Sequence, residues 1–390
     1  MLWVSAGQAT TRTLCMANNM ALNFNASTQC VENRQGVRIR PRGFGGTDGL
    51  SVVNPDDAIK YKLFFTMFQA LETVGYVSGK SLRSATYDWR KWGDDCYTET
   101  YLNALKDLII STYEMNDNKR VRLMCHSLGC NIVLSLLEMV VDDTFKEKYI
   151  SGLIALGPAW AGSAQTPESW ISGPVYEFVP IQLSNMLLPS SSTWPSMLTL
   201  FPYEFDFGDG TLNSLWSNVT IIETKRRTYV WCSSPKREIF RSYPHHSIIT
   251  LYHRYKATEL NELIQDTVKV APLGPSLLPS VLKWRARGKA PGVHVSALYV
   301  TDVNTPLSVK FPGDETTGFG TPTVTKYSEG DGTVNRDAME VPLMRWQKSQ
   351  QKHTVAMYPL ELGGSVNHVG MVSDLTVIKH VLNILMGEEH

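Results

Sequence analysis

The segment Cys125-His126-Ser127-Leu128-Gly129-Cys130 limits the fold of this 390-residue chain more tightly than any other. The apolar run before it, Val121 to Met124, reads as a strand. The run after it, Asn131 to Val141, reads as a helix. A small-x-Ser-x-Gly turn between strand and helix forms a sharp elbow, which lifts the serine hydroxyl clear of the backbone and aims the helix N-terminus at it. Short Ser/Gly patterns also arise by chance, so the rest of the chain has to decide whether this serine is a nucleophile.

The order of elements favours a parallel sheet. Val37-Arg38-Ile39-Arg40 reads as a strand entering the turn Gly43-Phe44-Gly45-Gly46, and Tyr61 to Val74 repeats apolar residues at helical spacing up to Gly75. Tyr101 to Tyr113 reads as a second amphipathic helix, and Ile150 to Leu156 as a continuous apolar strand. Strands joined by crossover helices imply a mostly parallel sheet with helices on both faces. From Ala164 to Val293 the alternation breaks down into prolines, serines and aromatics. The helical pieces there, Leu251 to Val268 and Pro279 to Lys283, are isolated, as in an inserted cap. Strand character returns at Val293 to Val300 and Thr354 to Met357, and the amphipathic helix Asp374 to Met386 follows. The expected division is residues 1–30 as a small N-terminal membrane-contact segment, 31–163 and 293–390 as the two parts of the core, and 164–292 as the cap or lid.

A serine nucleophile needs a base within hydrogen-bond reach and a third group to orient that base. Gly330-Asp331-Gly332-Thr333-Val334 offers an acid between a strand and a turn, although Asp-Gly alone also marks a tight turn. Asn367-His368-Val369-Gly370 offers a histidine in the loop before the last helix. A lone histidine there is more often structural. Ser127, Asp331 and His368 in this chain order, at these places relative to strands and helices, are the pattern of an α/β-hydrolase fold. Acyl transfer also needs two donors for the developing oxyanion. The expected donors are the backbone N–H of Leu128 and that of Phe44 in the glycine-rich loop. That loop lacks the Lys-Ser/Thr of a phosphate cradle.

Composition excludes some classes. Lys plus Arg and Asp plus Glu both number 37, so no basic surplus points to nucleic acid. No run approaches the ~18 apolar residues of a membrane span, and no secretory leader is visible at Met1 to Gly7. The sequons Asn25-Ala26-Ser27 and Asn218-Val219-Thr220 favour a secreted or lysosome-like glycoprotein. No cysteine has metal-ligand spacing, and His245-His246 reads as a surface pair, so no metal or other cofactor is expected. Cys125 and Cys130 read as small buried free thiols. Cys15 and Cys30 form a plausible disulfide, and Cys96 and Cys232 have no evident role.

Several motifs together carry a family resemblance. Gly43-Phe44-Gly45, Tyr87-Asp88-Trp89-Arg90, His126-Ser127-Leu128-Gly129, Gly157-Pro158-Ala159-Trp160-Ala161-Gly162-Ser163, Gly330-Asp331-Gly332-Thr333-Val334 and Asn367-His368 resemble the lecithin:cholesterol acyltransferase family. That family includes lysosomal phospholipase A2 and the phospholipid:diacylglycerol acyltransferases, and the likeness runs from about Cys15 to the last helix. It implies Ser127 as nucleophile with Asp331 and His368, Phe44 and Leu128 as oxyanion donors, and calcium-independent attack on a glycerophospholipid ester. The acyl group would pass to a sterol, another lipid alcohol or water. Asp88 and Arg90 read as a buried ion pair bracing the cap. Trp160 reads either as a wall of the acyl channel or as ordinary core.

Three departures stand out. Cys125 replaces the family's usual Gly or Ala. In the family a cysteine aligned with Cys15 pairs upstream in a lipid-docking loop, so here either part of that segment is missing or Cys15 pairs with Cys30. Ser296 stands where the first cysteine of a later family disulfide would be. Trp194 to Phe207 reads as a lid lying on a lipid surface or as the inner face of the cap, and Leu2, Trp3 and Val4 are further candidates for lipid contact. The expected activity is a serine-dependent acyltransferase or phospholipase working transiently at a membrane or lipid particle. The rivals are a phospholipase A that uses only water and a catalytically silent lipid-binding protein.

Overall fold

The computed structural model describes residues 9–51, 63–174, 181–203, 219–230, 247–256, 259–314, 318–349 and 352–387. In chain order the elements are α1 (Ala9–Met20), β1 (Leu22–Asn25), β2 (Cys30–Asn33), α2 (Asp48–Ser51), α3 (Phe65–Thr73), α4 (Asp95–Met115), β3 (Val121–His126), α5 (Leu128–Met139), α6 (Asp143–Tyr149) and β4 (Ile150–Leu156). There follow α7 (Gln165–Ser172), α8 (Ile181–Ser191), α9 (Pro195–Thr199), β5 (Thr220–Val230), β6 (Ser247–Lys256), α10 (Leu260–Asp266) and α11 (Gly274–Trp284). The chain closes with β7 (Val295–Val300), β8 (Asp302–Val303), β9 (Thr305–Lys310), β10 (Thr323–Ser328), β11 (Gly330–Asp331), α12 (Arg336–Ser349), β12 (Val355–Leu360) and α13 (Leu375–Met386). Among the described residues no helix is long and apolar enough to cross a membrane.

The centre is a parallel sheet in the order β12-β7-β4-β3. Side chains alternate across a strand, and β4 and β7 carry buried apolar residues on both faces from Leu153 and Ala297 onward. Leu153, Ala155, Ala297 and Tyr299 join one core cluster with Leu102 and Ile109 of α4 and Ile132 and Leu136 of α5. Ile154, Leu156, Leu298 and Val300 join a second with Met67 and Phe68 of α3 and Val377 and Val381 of α13. Both faces are covered, so neither set of positions tolerates polar residues. α13 starts with Asp374 accepting from the N–H groups of Thr376 and Val377, and ends at Gly387 in the left-handed region.

A second sheet, in the order β10-β9-β5-β6, takes β5 and β6 from the 164–292 stretch and β9 and β10 from beyond it. Two expectations are corrected here. Leu251 to Lys256 is strand, because it pairs antiparallel with β5, and helix begins only at Leu260. Val37 to Arg40 has no ladder partner among the described residues, and its arginines face solvent. An alternating pattern allows a strand, but only a neighbouring edge makes one.

The stretch from Trp194 to Phe201 packs inward. Trp194, Met197, Leu198 and Phe201 are all buried, and the Trp194 indole donates to the Met20 carbonyl at 2.8 Å. This part of the expected lid is interior, not interfacial. Phe205, Phe207, Leu2, Trp3, Val4, Asn218, Cys232 and His245-His246 lie outside the described residues.

Asp88 and Arg90 form a bidentate pair, with Nε to Oδ1 at 2.9 Å and Nη2 to Oδ2 at 2.7 Å. Arg90 also donates to the Met20 carbonyl and to Asn33 Oδ1, so the pair ties down the N-terminal segment, and the Met20 carbonyl accepts from Trp194 as well. Arg90 is fully buried, and removing its counter-ion strands a charge in the core. Asp88→Ala is therefore expected to cost about 3–5 kcal/mol, read from urea unfolding curves. A loss under about 1 kcal/mol would mean that the Met20 and Asn33 acceptors suffice.

Glu168 in α7 is buried, and desolvation alone pushes its pKa up to about 7 from 4.5. The folded protein holds this proton more tightly than the unfolded chain. The group therefore favours folding fully below pH ~4.5, and that contribution is lost as pH rises through ~7. Thermal midpoints are expected to fall between pH 5 and 8, and to fall less in Glu168→Gln. Parallel curves for the two proteins would remove Glu168 as a source.

Candidate active site

β3 is fixed in the sheet by register, with Cys125 opposite Ala155 and His126 opposite Leu156. The chain then reverses within one residue. Ser127 has φ 55° and ψ −129°, a region costing roughly 1–3 kcal/mol for a residue with a side chain. Its N–H donates to the Leu156 carbonyl at 3.1 Å, and its carbonyl accepts from the Cys130 N–H at 2.9 Å. Helix α5 starts at Leu128, directly after the serine.

Cys125 and Cys130 are bonded to each other across this turn, with Cα atoms 5.0 Å apart. The expectation of free thiols is thereby corrected. Five residues of separation place two side chains together in neither a strand nor a helix, and only the fold-back of the elbow does so. Cys30 pairs with Cys96, which gives Cys96 a role, and Cys15 is a free exposed thiol, so the Cys15–Cys30 pairing is also corrected. Cys30, Asp94 and Cys96 cluster closely, but the two sulfurs are bonded to each other. Asp94 is occupied as the N-cap of α4, accepting from Tyr97, and accepts also from the Val31 N–H. This cluster has no free ligand set for a metal.

The structure brings Ser127, Asp331 and His368 together. His368 Nε2 lies 2.7 Å from Ser127 Oγ, and His368 Nδ1 lies 2.6 Å from Asp331 Oδ2. Asp331 is fully buried at the end of β11, which pairs with β8. Its other oxygen, Oδ1, accepts from the N–H groups of Thr333 and Val334 at 3.1 and 2.7 Å. A carboxylate only accepts, so Nδ1 carries the imidazole proton and Nε2 is left to accept from the serine hydroxyl. The arrangement can take a proton from Oγ and stabilise the resulting imidazolium.

Several supporting residues carried no individual signal in the sequence. Ser163 Oγ donates to the Thr333 carbonyl at 2.5 Å, and the Gln165 side chain donates to the Gly332 carbonyl at 2.9 Å. The loop after β4 therefore clamps the loop that carries the acid. Gly157, with φ +47°, sits under the pair: a Cβ there would come within 3.2 Å of both Asp331 Oδ2 and His368 Nδ1. Ser163 and Gly157 belong to the Gly157–Ser163 motif, and their role appears only once the acid loop is folded over them.

Ser127, Leu128 and His368 border a cavity of about 1510 Å³, whose wall includes Phe64, Phe68, Leu105 and Ile109. Pockets for small ligands run to roughly 300–1,000 Å³, so this one is of lipid size. Leu200 also borders it. Phe44 does not line it and is 43% exposed, with its ring 6.2 Å from that of Tyr101, which does. Its loop is anchored where the Gly45 N–H donates to the Ser84 carbonyl and the Ser84 N–H to the Gly46 carbonyl. Neither Trp160 nor Trp194 lines the cavity. Trp160 is fully buried, donates to the Cys130 carbonyl and packs on Trp346, so core packing is the role the structure gives it.

The family model described as lecithin:cholesterol acyltransferase matches residues 1–274. A lysosomal phospholipase A and acyltransferase of Rattus norvegicus is 28% identical over 386 residues, covering 96% of this chain and 78% of that protein. The protein of the same name from Homo sapiens is 27% identical over 381 residues, with the same coverage of 96% and 78%. A phosphatidylcholine-sterol acyltransferase of Mus musculus is 28% identical over 377 residues, covering 96% of this chain and 74% of that one. The solved Tle4-Tli4 complex aligns at a TM-score of 0.47 and 12% identity, over 78% of this chain and 67% of that chain.

Proposed function

Since this chain belongs to the lecithin:cholesterol acyltransferase family, we propose that it removes an acyl group from a glycerophospholipid through an ester on Ser127 and passes it to a lipid alcohol or water. The observation that carries this is the hydrogen-bonded line Ser127–His368–Asp331 at the wall of a lipid-sized cavity that Phe64, Phe68, Leu105 and Ile109 help to line. Ser127 Oγ attacks the ester carbonyl while His368 Nε2 takes its proton. Collapse of the tetrahedral intermediate breaks the ester C–O bond, and His368 returns the proton to the departing lysophospholipid oxygen. The acceptor hydroxyl then gives its proton to His368 and attacks the acyl-enzyme carbonyl, and as the ester bond to Ser127 breaks His368 returns that proton to Oγ. The N–H groups of Leu128 and Phe44 stabilise the oxyanion. Support for Leu128 is its place at the start of α5, and for Phe44 the anchored glycine-rich loop.

The relatives are named for both hydrolysis and acyl transfer, and one is named for a sterol acceptor. The reaction takes place at a membrane or lipid-particle surface, where its substrates reside. The two disulfides and the relatives' lysosomal name support a secretory-pathway location. The division into a core, a cap spanning 164–292 and an N-terminal lipid-contact segment belongs to the same proposal. Mass spectrometry of products from phosphatidylcholine liposomes, with and without cholesterol, tests it. Lysophospholipid with steryl ester is the expected result. Lysophospholipid with free fatty acid alone would leave water as the acceptor, and no product would overturn the proposal.

A further inference from the structure

We infer that His126, the residue before the nucleophile, is a positioning residue: its ring donates a hydrogen bond to the main chain of His368 and holds the general base in register with Ser127. This rests on the proposed roles of Ser127, Asp331 and His368.

His126 Nε2 lies 2.9 Å from the His368 carbonyl oxygen. A carbonyl can only accept, so Nε2 carries the proton and the tautomer is settled by the contact itself. The His368 N–H in turn donates to the Asp331 carbonyl at 2.7 Å. Both main-chain groups of the base are thus tied, one to the residue beside the nucleophile and one to the acid. His368 sits in the loop between β12 and α13, whereas His126 ends a strand whose register is fixed against β4. The bond therefore transfers the rigidity of the sheet to a loop residue.

The two imidazole rings pack with centroids 4.7 Å apart and planes tilted by 35°, and Phe64 closes on the His126 ring edge-on at 6.2 Å. Packing around the ring, and the neighbouring His368, both pull the His126 pKa below the ordinary histidine value. The neutral ring is what the chemistry needs. During proton transfer His368 becomes an imidazolium, and a second positive ring in contact with it would oppose that step. His126 thus supplies a donor and a packing surface without a charge.

Catalytic geometry tolerates only about half an ångström of error, and a displacement of about 1 Å can cost on the order of 100-fold in rate. The test uses the full chain with three substitutions. His126→Gln puts an amide N–H at nearly the reach of Nε2, His126→Asn is one methylene shorter, and His126→Phe keeps a ring without a donor. The readouts are kcat and KM on phosphatidylcholine liposomes, the rate of Ser127 labelling by a fluorophosphonate, and the thermal midpoint. Loss of the donor, in Phe and Asn, is expected to lower kcat per labelled site about 10- to 100-fold with KM within about twofold, and Gln is expected to recover to within about threefold of wild type.

A purely structural role would move the midpoint and the number of labelled sites, but not the rate per site. If the Phe variant does not fold, the Gln and Asn pair decides. Wild-type kcat in Asn or Phe, or an equal loss in all three with unchanged midpoints, would overturn the inference. In either case a wild-type chain still labelled at Ser127 leaves the nucleophile assignment standing. That assignment fails separately, by activity persisting in Ser127→Ala.

Discussion

Ser127→Ala is expected to lower phospholipid deacylation by about a millionfold, while leaving the thermal midpoint and liposome binding close to wild type. The size of the effect follows from covalency. Without Oγ there is no acyl-enzyme, and His368 Nε2, 2.7 Å away, has no hydroxyl to deprotonate. The fold should survive. Alanine keeps the N–H that bonds to the Leu156 carbonyl, and the elbow remains held by the β3 register and by the Cys125–Cys130 bond. Fluorophosphonate labelling should vanish with the activity. Activity within about tenfold of wild type in a folded, unlabelled variant would place the nucleophile elsewhere.

Asp331→Asn should cost about 10⁴-fold in kcat without disturbing the fold. The local hydrogen bonds dictate which way the new amide points. Oδ1 accepts from the Thr333 and Val334 N–H groups, so the carbonyl of the asparagine must stay there. The NH2 group then replaces Oδ2 and donates toward His368 Nδ1, where the carboxylate had accepted. That drives the imidazole to the other tautomer, with its proton on Nε2, and the base can no longer take the proton of Ser127. The check is kcat on liposomes together with the rate of fluorophosphonate labelling, both of which should fall together. If labelling keeps the wild-type rate while turnover falls, the acid acts in a later step than activation of the serine.

Much of the scaffold was legible because local pattern and tertiary need coincide. Leu153–Leu156 is an unbroken apolar run since both faces of β4 are covered, and that demand is visible in four consecutive letters. The helix ending at Met386 combines an Asp374 cap, a one-faced apolar stripe and Gly387, each a local signal. The misreadings share one cause. Leu251 to Lys256 carries a pattern compatible with helix, and its pairing with β5, distant in sequence, made it a strand. Val37 to Arg40 has the alternation of a strand but no described partner. Trp160 and Trp194 are large and apolar, which fits a channel wall and a core equally well. Burial of the one at Trp346 and of the other under the Met20 carbonyl decided it.

Ser127, Asp331 and His368 stood out as candidates because each sits in a short motif with a fixed place relative to a strand or helix. Their meeting is another matter. Residue 127 lies 241 positions from residue 368 along the chain, and no periodicity carries information across that span. The residues that set the geometry were less legible still. His126, Ser163 and Gln165 donate to main-chain carbonyls, groups identical in every sequence, and Gly157 leaves room for the Asp331 and His368 side chains, all neighbours that only the closed sheet brings near. The Cys125–Cys130 and Cys30–Cys96 bonds have the same origin, since pairing depends on distance in space and the letters record only distance along the chain. By itself, then, the sequence determined the strand–elbow–helix, the parallel core around it and the family, because those rest on local stereochemistry and burial. Tertiary structure alone decided which cysteines bond, which tryptophans are interior, and how the base is held against the serine, because those are contacts between segments that local forces never bring together.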